Sequence, residues 1–279
     1  RMQDAPNGNQ STDRRPAMVI YRAPLFNASE TFVRAHPAQL RRYRPLLAGL
    51  EDKGNIPREL RASTFLPRHW SERLRGRLGN LDWLAPRLAP DRPVLIHAHF
   101  GPDGLTALPL AQRLGIPLVT SLRGYDVART PRALLLSGRL SWMRYALWRE
   151  RLMREGDLFL AVSDALRSMA IGAGYPAART LTHYNGVDLA AFAPSGGDDG
   201  KTILHVGRLV EKKGTAVLLI AFARVRAAHP DASLVVIGDG PRLPSLQKLS
   251  GGLGLADSVR FVGAQPPSVV AEWMRRAAV

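Results

Sequence analysis

Between residues 200 and 279, three short apolar runs alternate with segments of helical length. The runs are Ile203–Val206, Ser233–Ile237 and Val259–Val262. The helical segments are Thr215–His229, Pro244–Leu253 and one starting near Pro267. A parallel strand cannot be reached through a tight turn and needs a crossover of a dozen or more residues. This rhythm therefore confines the chain to βαβ units built on parallel sheets. The front of the chain repeats it less regularly. Met18–Tyr21, Val94–Ala98, Pro117–Ser121, Leu158–Val162 and Thr180–Tyr184 read as strands. Ser29-Glu30-Thr31 reads as the start of a helix reaching about Leu50. A second helix spans Gly104–Leu114, closed by Gly115 with Pro117 beyond, and Ser163-Asp164 opens a third to about Ile171.

The pattern gives a mostly α/β chain with two Rossmann-like parallel-sheet domains. Residues 1–17 are polar and read as a disordered leader. Residues 18–198 form the first unit and 199–279 the second, joined by the PSGGDDG stretch at 194–200. The second unit has three strands, half of a doubly wound sheet in which the first strand is central. Ile203–Val206 would then be an open hydrophobic edge, which proteins avoid. The second domain is accordingly expected to be incomplete, with the chain cut at Val279.

Composition excludes several classes. The 279 residues hold no cysteine, so disulfide scaffolds, zinc fingers and cysteine nucleophiles are out. No apolar run is long enough to span a membrane. Lys plus Arg is 39 against 23 Asp plus Glu, a net charge of +16. Residues 41–92 and 129–154 each contribute +6 of it. In them Trp70, Leu74, Leu78 and Leu81, and then Leu140, Trp142, Met143, Tyr145 and Trp148, recur among arginines at helical spacing. Such helices either pack on a sheet with their arginines solvated or lie on an anionic membrane surface. Periodicity does not separate the two. No nucleic-acid-binding motif accompanies the charge, so nucleic acid is not expected as a partner.

The strongest chemical signal is His205-Val206-Gly207-Arg208-Leu209-Val210-Glu211-Lys212-Lys213-Gly214. A strand ends at Gly207, a loop carries Arg208 and Lys213, and a helix begins after Gly214. Glycine admits a close ligand, the helix N-terminus offers free N–H groups, and two cations converge there, which suits a nucleotide diphosphate. It is neither a Walker A loop nor a dinucleotide fingerprint, since Gly238-Asp239-Gly240 lacks the third glycine. His97 and His99, two apart at a strand end, share a face. They could ligate a metal in principle, but no third ligand is evident nearby, and no metal or cofactor is expected.

HVGRLVEKKG, VVIGDGP and VRFVGAQ together closely resemble the donor half of family 4 glycosyltransferases. NASETFV, HAHFGPDG, LRGYDV, AVSDALR and HYNGVDLAAFAP fall in the order of the branch that builds bacterial exopolysaccharide and lipopolysaccharide. The resemblance covers roughly residues 18–279. It implies the two-domain GT-B fold and a retaining, metal-independent transfer of a sugar from a nucleotide diphosphate donor. The implied acceptor is a glycan, lipid-linked in this branch, and the implied setting is the cytoplasm or the inner face of the plasma membrane. Arg208 and Lys213 would hold the diphosphate and stabilise the departing nucleotide, with Gly207 against the phosphates and Gly238 and Asp239 near the nucleotide. His99 would face the cleft. Arg123-Gly124-Tyr125-Asp126 matches a segment that more often reads His-Gly-x-Asp. Arg123 stays charged and cannot act as a base, so it can only donate hydrogen bonds or add charge. Asp126, Ser163 and Asn185 would lie on the acceptor side, with Ser163 equally a helix N-cap, Asn185-Gly186 a turn and Asp188 a capping or inter-domain residue. A Glu-x7-Glu element that binds ribose and sugar in the family would lie beyond the point where this sequence stops. A nucleotide-sugar epimerase on the same fold, or an inactive binding protein, is the alternative.

Overall fold

A computed structural model of the chain describes residues 13–26, 30–54, 56–193 and 199–279. It divides into two compact units, 1–186 and 187–279. The division falls ahead of the expected boundary near 198. The reason is local: the Arg275 guanidinium donates to the Ala191 carbonyl at 3.2 Å, tying the stretch before 193 to the last helix of the second unit. The linker candidate itself lies outside the described residues, apart from its last two, and so does the leader up to residue 12. Residues 13–17 depart from the disordered reading. Arg15 pairs with Asp13 at 2.6 Å and donates to the Leu40 carbonyl at 2.7 Å, and the first strand begins at Ala17.

The first unit is a seven-stranded parallel sheet. Its strands are β1 (Ala17–Tyr21), β2 (Arg44–Ala48), β3 (Thr64–Phe65), β4 (Leu95–His99), β5 (Leu118–Leu122), β6 (Leu158–Ala161) and β7 (Thr180–Thr182), in the order β3-β2-β1-β4-β5-β6-β7. Strand order reverses beside β1, where β2 and β4 flank it. All five residues of β1 are buried, as expected of a central strand covered on both faces. Its main helices are α1 (Thr31–Gln39), α2 (Trp70–Arg77), α3 (Gly101–Leu114), α4 (Leu140–Glu155) and α5 (Asp164–Gly172).

The expected helix to Leu50 is a correction. α1 stops at Gln39, where Leu40 turns extended, and residues 44–48 form β2 against β1. Pro45, Leu46, Leu47 and Ala48 are all buried. A strand covered on both faces loses its polar alternation, and its apolar run then matches a helix as well as a strand.

The basic, aromatic segments are packed in part and exposed in part. Tyr145, Leu152 and Met153 of α4 are buried in the core that contains β5 and α3. Gly101 lies so close to Tyr145 that a Cβ there would meet the ring at 2.5 Å. Trp70 is 78% exposed, and Leu74, Leu78, Leu147 and Trp148 are also exposed. The end of α2 abuts α4, since a Cβ on Gly79 would strike the Arg144 guanidinium. No helix among the described residues is long and apolar enough to cross a membrane.

The second unit is a three-stranded parallel sheet, β8 (Thr202–Val206), β9 (Ser233–Ile237) and β10 (Val259–Gly263), in that order. Helices α6 (Thr215–Ala228), α7 (Leu243–Gly252) and α8 (Pro267–Arg276) connect and follow the strands. The outer flank of β8 is partly met by the end of the chain. Ala278 N donates to the Thr202 carbonyl at 2.9 Å and Leu204 N to the Val279 carbonyl at 2.8 Å.

Candidate functional site

In the second unit the chemistry-bearing residues collect at the carboxyl ends of β8 and β9, where open α/β sheets bind ligands. β8 ends at Val206, Glu211–Lys213 form a single 3₁₀ turn, and Gly214, with φ of +67°, starts α6. No side chain among the described residues caps that helix, which leaves its first N–H groups to a ligand. Thr215 is buried and its hydroxyl bonds His205 Nε2 at 3.1 Å, which fixes the helix start to the strand. Arg208 and Lys213 are both exposed. The neighbouring carboxylate does not neutralise them, because Glu211 is bonded to Arg242. Gly207 stands beside Lys213, whose Cδ would lie 3.8 Å from a Cβ there. Gly238 crosses directly over this loop: a Cβ on it would sit 1.9 Å from the Gly207 carbonyl oxygen. Asp239 takes part in the same crossing through its backbone, accepting from Leu209 N at 2.9 Å, and its carboxylate accepts from Gly240 N at 2.7 Å.

In the first unit a small pocket of about 90 Å³ opens at the carboxyl ends of β4 and β5. His97 and His99 do share a face, their rings stacked with centroids 4.8 Å apart. His36 of α1 packs edge-on against both, a third imidazole where the sequence offered none nearby. Among the described residues no three such side chains are arranged to hold a metal ion. The hydrogen bonds define the tautomers. Arg123 can only donate, so His99 Nδ1 accepts from its Nη2 at 2.9 Å. The His99 proton is then on Nε2, aimed at His36 Nδ1 at 3.3 Å, and the His36 proton is on Nε2. His97 Nε2 bonds the Ser121 hydroxyl at 2.8 Å. Arg123 also donates to the Asn185 side-chain oxygen at 2.6 Å and lies 3.9 Å over the Phe32 ring.

Asp126 holds the turn that carries Arg123. Its buried carboxylate accepts from the backbone N–H groups of Gly101, Arg123 and Gly124 at about 3 Å. Phe100, between His99 and α3, is held at φ of +75°, a conformation a phenylalanine seldom adopts and one that concentrates near functional sites. Ser163 caps α5, accepting from Leu166 N at 3.2 Å. Asp188 caps its own turn, accepting from Ala190 N at 3.0 Å. The structure thus brings His99, Arg123, Asp126 and Asn185 into one cluster and adds His36, Phe32, His97 and Ser121. Phe32 and His36 are four apart on a helix, so they share a face, and this was the one local signal available for them. A second hollow, at the opposite ends of the strands beside Gln112, Glu155 and Asp157, has none of these features.

Burial drives the histidines toward neutrality. His36 is lowered to about 4, chiefly by desolvation, with Arg123 and His183 adding repulsion. His97 and His99 are held well below the ordinary imidazole value for the same reason. An unfolded chain takes up these protons below about pH 6.5 while the folded one does not, so the unfolded state binds more protons and stability falls as pH drops. Each histidine contributes a slope of about 1.4 kcal/mol per pH unit over that window, which for His36 runs down to about pH 4. Urea midpoints of the first unit should fall steadily from pH 7 to pH 5, and His36→Gln should flatten the slope. A midpoint that ignores pH would show that these rings are not buried neutral.

Comparison with known proteins gives a consistent result. The model of glycosyltransferase family 4 matches residues 30–191, and that of the group 1 glycosyl transferases matches residues 191–279. The GDP-mannose-dependent α-(1-6)-phosphatidylinositol monomannoside mannosyltransferase of Mycolicibacterium smegmatis is 31% identical over 173 residues, covering 57% of this chain and 42% of that protein. The putative colanic acid biosynthesis glycosyltransferase WcaL of Escherichia coli is 30% identical over 183 residues, 63% of this chain and 43% of that one. The chain spans about half the length of the curated relatives it matches. Among solved structures, Anabaena HepE in complex with UDP and glucose superposes with a TM-score of 0.67 at 20% identity, over 92% of this chain and 72% of that one. The likeness shows the GT-B fold.

Proposed function

The chain belongs to glycosyltransferase family 4, and from that premise we propose that it moves a sugar from a nucleoside diphosphate donor to a glycan acceptor with retention of anomeric configuration. The observation that carries this reading is the loop from Gly207 to Gly214, where two unneutralised cations meet a bare helix N-terminus. Arg208 and Lys213 would hold the donor diphosphate, with Gly207 against the phosphates and Gly238 and Asp239 beside them. As the bond from the anomeric carbon to the phosphate oxygen breaks, negative charge grows on the leaving diphosphate. Cations already in place stabilise that charge without reorganising. In a retaining transfer with no carboxylate nucleophile, the acceptor hydroxyl attacks the same face and its proton passes to the leaving phosphate oxygen. Arg123 cannot be the base. His99 is no better placed, because its Nδ1 is occupied by Arg123 and its Nε2 carries the proton. The first unit's pocket would therefore position the sugar and acceptor rather than take the proton.

A lipid-linked acceptor is supported by the exposed Trp70, Leu74, Leu78, Leu147 and Trp148 among the arginines of α2 and α4. Apolar side chains interleaved with cations suit an anionic bilayer surface, and this supports a working position at the inner face of the plasma membrane. The test uses the full-length protein with labelled UDP-glucose or GDP-mannose and anionic vesicles carrying a lipid-linked saccharide. Label should enter the lipid fraction in a new linkage of unchanged anomeric configuration, with protein sedimenting with the vesicles. Turnover of donor without acceptor to an isomeric nucleotide sugar would instead make the protein an epimerase.

A further inference from the structure

The first unit's pocket contains a largely buried cation, Arg123, that has no carboxylate in direct contact with its guanidinium among the described residues. Arg123 makes no salt bridge among the described residues, and its Nε is buried without a hydrogen-bond partner. The groups its guanidinium touches, Asn185, His99 and the Phe32 ring, are all neutral. The two nearest acids are committed elsewhere. Asp126 gives its oxygens to three backbone N–H groups, and Glu30 pairs with Arg22 at 2.7 Å. The pocket lining includes four histidines, His36, His97, His99 and His183, and no carboxylate. The hydrogen-bond chain from Arg123 through His99 leaves the His36 proton on Nε2, so the cluster terminates in a donor. Burial already pulls Arg123 down to about 10, the mark of a positive charge held where water solvates it poorly. A strut between the β5 end and Asn185 would need no charge, since a glutamine could donate to the same oxygen. A guanidinium earns its place there when an anion arrives to pair with it.

We propose that this pocket is a carboxylate subsite that selects an acidic sugar, a hexuronate carried either on the donor or at the end of the acceptor. The proposal rests on the glycosyl-transfer reading and names its substrate class. The flat guanidinium would receive the carboxylate, the imidazoles of His99 and His36 lie in line beside it, and the Phe32 ring backs the guanidinium.

The test follows the histidine-ring NMR signals of the full-length protein with free D-glucuronate and with glucose, and compares binding of UDP-glucuronate, UDP-glucose and UDP. Glucuronate should move the His36 and His99 signals at least tenfold more tightly than glucose. Arg123→Gln should erase the preference, while Arg123→Lys, which keeps the charge, should retain part of it and guards against a folding defect. If UDP-glucuronate also binds about tenfold more tightly than UDP-glucose, the acid is on the donor. If the two UDP-sugars bind alike while free glucuronate keeps its preference, the acid is on the acceptor. Equal binding of glucuronate and glucose, or a preference that survives Arg123→Gln, overturns the proposal. In that event UDP binding still reports separately on the nucleotide reading, which fails only if UDP does not bind.

Discussion

Lys213→Ala in the full-length protein should lower kcat/KM for the nucleotide sugar by about 100-fold or more, with the fold unchanged. Lys213 is exposed at the tip of a 3₁₀ turn and buries nothing, so its removal leaves no cavity. Its charge is what matters. Glu211, two residues before it, is bonded to Arg242 and leaves Lys213 free to meet an incoming phosphate. A unit charge about 4 Å from a phosphate oxygen is worth about 4 kcal/mol where the effective dielectric is intermediate. Removing one pre-placed donor of this kind in other enzymes costs roughly 3–4 kcal/mol of barrier, a rate loss of about 100- to 1,000-fold. Part of the loss should fall on kcat, because charge on the leaving diphosphate grows as the glycosidic bond breaks. A loss confined to KM would mean that Lys213 binds donor and transition state equally. Steady-state kinetics with nucleoside diphosphate protection against heat as the second readout decide the matter. Unchanged kinetics would remove the diphosphate assignment from this loop.

That loop was legible because everything it needs is local. Strand end, glycine, cation and helix start follow one another within ten residues, and each observed boundary of β8, β9 and α6 lies within about one residue of its expected place. The first unit was harder for two physical reasons. β2 is covered on both faces, so its side chains carry no alternation and its run of Pro, Leu, Leu and Ala passed for the continuation of α1. The pocket is assembled from distant pieces. His36 meets His99 across 63 positions of sequence, and Arg123 meets Asn185 across 62. Motif spacing sees only neighbours on one element, so His97 and His99 were found as a pair and His36 was not. The same limit hid the ties of Asp126. Only the family resemblance singled it out, because its bond to Gly101 N at the start of α3 depends on β4 and β5 lying side by side.

The glycines of the second unit allow fold and ligand contact to be separated. Gly238 has φ of +138°, which side chains rarely tolerate, and its Cβ would overlap the Gly207 carbonyl oxygen at 1.9 Å. That oxygen is backbone and cannot swing away. Gly238→Ala must therefore push the end of β9 from the loop after β8, straining the bonds from Gly207 N to the Ile237 carbonyl at 2.9 Å and from Gly238 N to the Gly263 carbonyl at 2.8 Å. Backbone strain and overpacking of this kind cost about 3 kcal/mol or more, so Gly238→Ala should both melt early and lose nucleotide binding. Gly207→Ala is the opposite case. Its nearest foreign atoms are Lys213 Cδ at 3.8 Å and His205 Nε2 at 3.9 Å, ordinary contacts, and its φ is not in the left-handed region. The melting temperature should barely move. If donor phosphates lie against the Gly207 backbone, the added methyl occupies their space and UDP affinity should fall by about tenfold or more, a cost of about 1.4 kcal/mol. Calorimetry on the two variants reads both quantities. Normal UDP binding by Gly207→Ala would mean that the phosphates are held by Arg208, Lys213 and the α6 N-terminus alone, with Gly207 present only to let Gly238 pass.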